Sequence, residues 1–209
     1  MPLRGCLYPT EAPDAPPHPS PPLLPLSDDA WLALLPYILP RAPQGRRVAD
    51  LRRRMDGIFW LASTPGAPWK DLPPEFGRPD TVARFFRRLT HNGLWHRLLQ
   101  ELARTGPKHP LRSIEYAICR ATRRAARLGG MALLVLIRRL GLRTALNGPP
   151  WLLPNPLLSE MLARTPLPPA PTTRQQLESA RQHLKSVEAL ARAALGRARI
   201  PRSVRLAWP

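Results

Sequence analysis

From Ser27 onward, apolar residues recur at three- and four-residue intervals, the period of an α-helix. Ser27 is placed as an N-cap, with Asp28 and Asp29 in the first turn, where the helix dipole favours acids. Trp31, Leu34, Leu35 and Ile38 make the inner face of this first helix, which Pro36 is expected to stop near Leu35. A second helix is predicted over 48–62. Val48, Leu51, Met55, Ile58 and Ala62 face inward with Phe59 beside them, Arg53 and Arg54 face outward, and Arg46 and Arg47 stand at its start. Thr64-Pro65-Gly66-Ala67-Pro68 is a stop signal. A short third helix is predicted over 69–76, despite Pro73 and Pro74, with Gly77 as its turn residue.

The next segment has the sharpest division of faces. Asp80 is expected to cap a helix in which Val82, Phe85, Phe86 and Leu89 form one apolar stripe. Thr81, Arg84, Arg88 and His91 fall on the opposite face, with Arg87 at its edge. Asn92-Gly93 breaks the chain, and Leu94, Trp95, Leu98, Leu99 and Leu102 line a fifth helix that ends before Thr105. Further on, Ile114, Ile118, Ala121, Ala125 and Leu128 predict a helix whose other face carries Arg112, Arg120, Arg123 and Arg127. Gly129-Gly130 should break it. The apolar run 131–140 reads as helix, because a strand there would find no partner. A last helix, 173–197, shows Leu177, Ala180, Leu184, Val187, Ala191 and Ala194 as a coiled-coil-like seam, half of it alanine. The fold class is therefore all-α.

Composition sharpens this picture. The 29 prolines crowd into residues 2–25 and 149–171, which read as a polyproline-type tail and a semi-rigid linker. A net charge of +18 favours a polyanionic partner, either nucleic acid or an anionic membrane surface. The basic residues are almost all arginine, with Lys70, Lys108 and Lys185 the only lysines, so a GC-rich coding bias explains part of the excess. It does not explain the scarcity of acids. Cys6 and Cys119 are far apart and one lies in the tail, which argues against a structural disulfide. The first residues lack the apolar segment of a secretory signal, and no apolar run approaches the ~20 residues of a bilayer span. A cytoplasmic protein is expected. The five histidines lack metal-ligand spacing with the cysteines, and there is no phosphate loop or nucleophilic serine motif. No metal, cofactor or small-molecule substrate is expected.

A short helix, a glycine turn and a basic-faced helix over 69–90 follow the order of a helix-turn-helix, whose second helix enters the major groove. A solvated basic face on an ordinary helical domain gives the same pattern. The stretch from 26 to about 102 resembles the N-terminal domain of bacterial insertion-sequence transposases of the DDE type. The resemblance is carried by Leu26-Ser27-Asp28-Asp29-Ala30-Trp31, Leu34-Leu35-Pro36, Ile58-Phe59-Trp60-Leu61 and Thr64-Pro65-Gly66-Ala67-Pro68-Trp69-Lys70-Asp71-Leu72-Pro73-Pro74-Glu75-Phe76-Gly77, then Thr81-Val82, Phe85 to Arg88 and Gly93-Leu94-Trp95. It implies binding of the element's terminal double-stranded DNA. The DNA-binding candidates are Thr81, Arg84, Arg87, Arg88 and His91 on the basic helix, with Lys70, Arg53 and Arg54 nearby. Two departures stand out: Arg78-Pro79 where the family usually has an aromatic residue, and Leu89 where it often has tryptophan.

The DDE enzymes hold two metal ions on three carboxylates. Here no aspartate follows Asp80, and the acids beyond the resembling stretch are Glu115, Glu160, Glu178 and Glu188, scattered over predicted helices and linker. The expectation is a non-catalytic DNA-binding protein with no catalytic residues of its own. The domains expected are a tail (1–25), a transposase-like helix-turn-helix domain (26–105), a helical extension (106–148), a linker (149–172) and a C-terminal amphipathic helix with its tail (173–209). Two other readings stand beside it. One is an interaction or assembly module, self-associating through the C-terminal helix, with vestigial DNA binding. The other is peripheral membrane attachment by the arginine-rich helices, disfavoured because their apolar faces lack bulky aromatic anchors.

Overall fold

The computed structural model describes residues 25–39 and 50–208. Among these residues there is no strand. The α-helices are α1 (Asp28–Ile38), α2 (Leu51–Ser63), α3 (Pro79–His91), α4 (Leu94–Arg104), α5 (Pro110–Ser113), α6 (Glu115–Arg139), α7 (Pro156–Ala163), α8 (Arg174–Leu195) and α9 (Arg202–Ala207). Three single 3-10 turns, Trp69–Asp71, Pro74–Phe76 and Arg143–Ala145, join them. The all-α expectation holds. The tail 1–24, with Cys6, and the predicted helix start at Arg46, Arg47 and Val48 lie outside the described residues.

Ser27 caps α1, its hydroxyl accepting from the Ala30 N–H at 3.2 Å. The helix does not stop before Pro36, as expected, but runs to Ile38. Proline in a last turn removes one amide donor. The turn still closes, since Leu39 N–H reaches the Leu35 carbonyl at 3.1 Å and Ile38 is buried beneath it. Two side chains of α2 clamp the start of α1. Asp56 accepts from the Leu26 N–H at 3.0 Å, and Arg52 donates to the Leu26 carbonyl and to Asp28.

The predicted helix over 69–76 is instead two 3-10 turns. An α-helix there would need the amide hydrogens of residues 73 and 74, and both are proline. The chain uses shorter bonds: Leu72 N–H to the Trp69 carbonyl at 3.1 Å, and Gly77 N–H to the Pro74 carbonyl at 3.0 Å. Gly77 takes φ 103° and ψ −177°, a backbone setting open essentially to glycine alone, and turns the chain into α3. Asp80 does not cap α3. Arg78 holds the cap position and Pro79 the first helical one, which its fixed φ suits, leaving Asp80 within the first turn.

α6 lies across α2, α3 and α4. As the glycine pair predicted, it is broken: Gly130 sits at φ 57° and ψ −148°, and the run after it is helical. Burial of Trp95, Leu98, Ile118, Ala121, Leu133 and Ile137 joins both halves of α6 to the N-terminal helices in one core, which extends to Leu153. Arg120, expected on the outer face of this helix, is buried with 6% exposure and bonds the Ser63 carbonyl at the end of α2. α7 falls within residues 149–172 and packs on α8. Thr173 and Gln176 form a reciprocal capping box at the start of α8. The far end of α8 is pinned by Asn155 N–H to the Ala194 carbonyl (2.7 Å) and by Arg197 N–H to the Leu152 carbonyl (2.9 Å).

Candidate nucleic-acid interface

A row of aromatic rings seats α3. Trp69, from the first 3-10 turn, packs on Phe86 of α3 at 5.4 Å between centroids, and Phe86 packs on Trp95 of α4 at 5.5 Å. The Trp95 indole N–H donates to the Thr90 hydroxyl at 2.8 Å, and that hydroxyl donates to the Phe86 carbonyl at 2.9 Å. The buried Trp95 indole and Thr90 hydroxyl are thus both paired, as burial requires. The apolar stripe of Val82, Phe85, Phe86 and Leu89 faces the core. Residues three and seven apart share a helix face, so Thr81, Arg84, Arg88 and His91 are presented together on the opposite, exposed side.

The other candidates are arranged around this face. Arg54 of α2 and Arg88 of α3 both lie over the Phe85 ring, 5.8 and 5.5 Å from its centroid, so two guanidinium groups converge between the helices. Arg53 is exposed, and its Nε donates to the Glu75 carbonyl of the second 3-10 turn. Lys70 is exposed on the first turn. Arg87 lines a cleft of about 600 Å³ between the 64–69 loop, α3, α6 and α9.

That cleft holds candidate residues which sequence reasoning did not single out: Arg124, Arg202 and Arg205. Periodicity gave no sign of α9, a helix of six residues. The Arg124 guanidinium covers the Trp69 ring at 4.6 Å and donates to the Ala67 carbonyl at 2.8 Å. Arg123 donates to the carbonyls of Thr144 (2.5 Å) and Trp208 (3.0 Å). Burial, then the neighbouring Arg120 charge, presses the Arg123 pKa down to about 10, and burial lowers that of Arg124. Among the described residues, no group of three or more histidine, cysteine or acidic side chains is placed to hold a metal ion, and no helix is long and apolar enough to cross a membrane.

Residues 26–99 match the family described as "Putative transposase of IS4/5 family". The matched stretch runs from the clamp at Leu26 into α4 and contains the whole of α3. It coincides with the stretch whose residues resemble the N-terminal region of insertion-sequence transposases, and that resemblance is upheld. The match does not extend to α6, α7, α8 or α9. No curated protein and no solved structure matches the chain.

Proposed function

We propose that the chain is a non-catalytic, cytoplasmic protein that binds double-stranded DNA through the exposed face of α3. The observation that carries this is the row Thr81, Arg84, Arg88 and His91, exposed together on a seated helix inside the transposase-like segment, with Asp80 the one acid on that helix and none of the ion pairs among the described residues involving the row. Arginine in the major groove forks onto guanine edges, while neighbouring arginines hold phosphates. Lys70, Arg53, Arg54 and Arg87 flank the row and would fix the register on the backbone. The two 3-10 turns take the place of the first helix of a helix-turn-helix.

The disposition of the acids supports the non-catalytic part. Each glutamate beyond α4 is engaged by an arginine: Glu115 with Arg112 at 2.8 Å, Glu160 with Arg139 at 3.0 Å, Glu178 with Arg174 at 3.8 Å and Glu188 with Arg192 at 2.5 Å. They stand on three different helices, α6, α7 and α8. Two-metal chemistry needs carboxylates that converge.

The test is a binding titration at several salt concentrations, comparing random duplex with duplexes selected from genomic DNA. A selected site is expected to bind on the order of a thousandfold more tightly. Arg84→Ala with Arg88→Ala should remove most of that advantage, since each arginine–guanine contact is worth ~1–3 kcal/mol. Unchanged selectivity in the double variant overturns the assignment of α3.

A second reading has its own observation. Leu177 and Leu184 of the α8 seam are 39% and 48% exposed, although the end of the helix is docked. This favours an assembly role through α8. A single monomeric species in analytical ultracentrifugation at all concentrations would reject it.

A further inference from the structure

The cleft beside α3 is lined by seven arginines and by no acidic residue. Three of them (Arg120, Arg123 and Arg124) donate to backbone carbonyls. A carbonyl orients the Arg124 guanidinium but does not neutralise it. None of the ion pairs among the described residues includes Arg87, Arg124, Arg127, Arg202 or Arg205. Like charges gathered at a partly buried surface repel one another more strongly than in open water, so the folded chain holds this cluster at a cost that an anion would relieve. Burial, and after it the neighbouring Arg120 charge, lowers the pKa of Arg123 at the same place.

The cleft is also built, not a chance meeting of surface side chains. α9 closes one side by seating Leu206 against Gly66. A Cβ on that glycine would stand 2.7 Å from Leu206 Cδ2, and Gly66 has φ +75°, so the approach depends on glycine. The opposite side is α6, and the 64–69 loop between them carries Trp69 under the Arg124 guanidinium. Arg87 belongs both to α3 and to the wall of the cleft, making the basic surface continuous from one to the other.

We propose that this cleft is a second DNA contact, which takes backbone phosphates of the strand flanking the site read by α3, with Arg127, Arg202 and Arg205 as its exposed phosphate ligands and Arg124 as the charge at its floor. Naming DNA as the source of the phosphates rests on the α3 reading; the anion site itself does not. The cleft contributes affinity without sequence preference, because phosphates carry no base information. It would also explain why helices outside the transposase-like segment remain part of the folded chain: α6 and α9 supply six of the seven arginines.

The experiment pairs two variants of the full chain, Arg127→Ala/Arg202→Ala in the cleft and Arg84→Ala/Arg88→Ala on α3, in salt titrations of random and selected duplexes. The cleft residues replaced are exposed, and an unchanged melting temperature checks that the fold is kept. Losing two phosphate contacts should flatten the slope of log affinity against log salt by about 1.8, so that the affinity lost between roughly 50 and 200 mM salt shrinks about twelvefold. Selectivity between duplexes should stay as in the wild type. A wild-type slope in the cleft variant overturns the proposal, whatever the α3 variant does. If instead only the α3 variant behaves as wild type, the α3 reading fails and the cleft stands. Calorimetry with inorganic pyrophosphate separates the sources: tight binding that is lost in the cleft variant, together with an unchanged DNA slope, would assign the cleft to a small phosphate compound and overturn its assignment to DNA.

Discussion

Thr90 is the smallest residue on which the placing of α3 depends. Its hydroxyl accepts the indole N–H of fully buried Trp95 while donating to Phe86. Thr90→Val keeps the shape and removes the acceptor, leaving a buried donor unpaired at a cost of ~1–3 kcal/mol. Denaturant unfolding should show that loss, and an unchanged midpoint would mean that the indole is satisfied some other way. Gly57 sets two effects against each other. Alanine in a helix gains ~1 kcal/mol over glycine, but a Cβ there would lie 2.7 Å from Phe76 Cβ, next to the backbone of a 3-10 turn that cannot easily retreat. Overpacking costs ~1–3 kcal/mol, so Gly57→Ala is expected to be destabilising overall, and a higher melting temperature would contradict the tight packing of α2 on that turn. Cys119 has no exposed surface, and burial pushes its thiol above the ordinary value of 9.0. Folding therefore favours the protonated form. The stability this gives is full below about pH 9 and is lost as pH rises through the folded value. In a Cys6→Ser background, the native thiol should stay inert to a disulfide reagent at pH 8 until the chain is unfolded. At this scale the sequence misleads about Arg120. Helical spacing assigns a charged residue to the outer face, but only the tertiary fold reveals that a carbonyl at the end of α2 waits there for it.

Among elements, most helices were legible because a stripe of large apolar residues marks a buried face whatever it packs against. α3 and α4 are of this kind, with Phe85, Phe86, Leu98 and Leu99 at helical spacing and all buried. The failures are local and have causes. Pro36 reads as a stop, yet one missing amide in a final turn is too small a loss to outweigh burying Ile38. Pro73 and Pro74 read as a complication, and side by side they are decisive, because they remove two consecutive helical donors. α9 was invisible, since six residues make less than two turns and show no period. The docking of α8 depends on Gly196, which has φ +68° and would bring a Cβ to within 2.6 Å of the Leu153 carbonyl carbon. Gly196→Ala should therefore free α8 from residues 152–155 without unfolding the N-terminal helices. Limited proteolysis is expected to cut near 196–200 in the variant, and equal resistance in both proteins would show that α8 is held elsewhere along its length.

For the molecule as a whole, the question is where its charge goes. The late glutamates are each taken up by an arginine on the same or a neighbouring helix, mostly at exposed positions where such pairs add little stability. Their effect is on the distribution of charge: each late glutamate offsets one arginine outside the cleft, while the cleft keeps seven arginines and no acid, and the helix beside it, α3, carries a single acid, Asp80. A net charge of +18 predicted a polyanion, but not which surfaces would meet it, because the cleft joins Arg87 to Arg205 across more than a hundred residues of chain. The same arrangement bears on catalysis. The proposed non-catalytic reading, in which the late carboxylates are each paired with an arginine and spread over α6, α7 and α8, predicts that the purified chain leaves supercoiled plasmid intact with magnesium or manganese, at concentrations where it fully covers the DNA. Nicking alone would not decide the matter, since a contaminating nuclease would also nick. Nicking that disappears with Glu115→Gln or Glu160→Gln, while DNA binding persists, would show that these carboxylates leave their arginines to act on DNA, and the non-catalytic reading would fall.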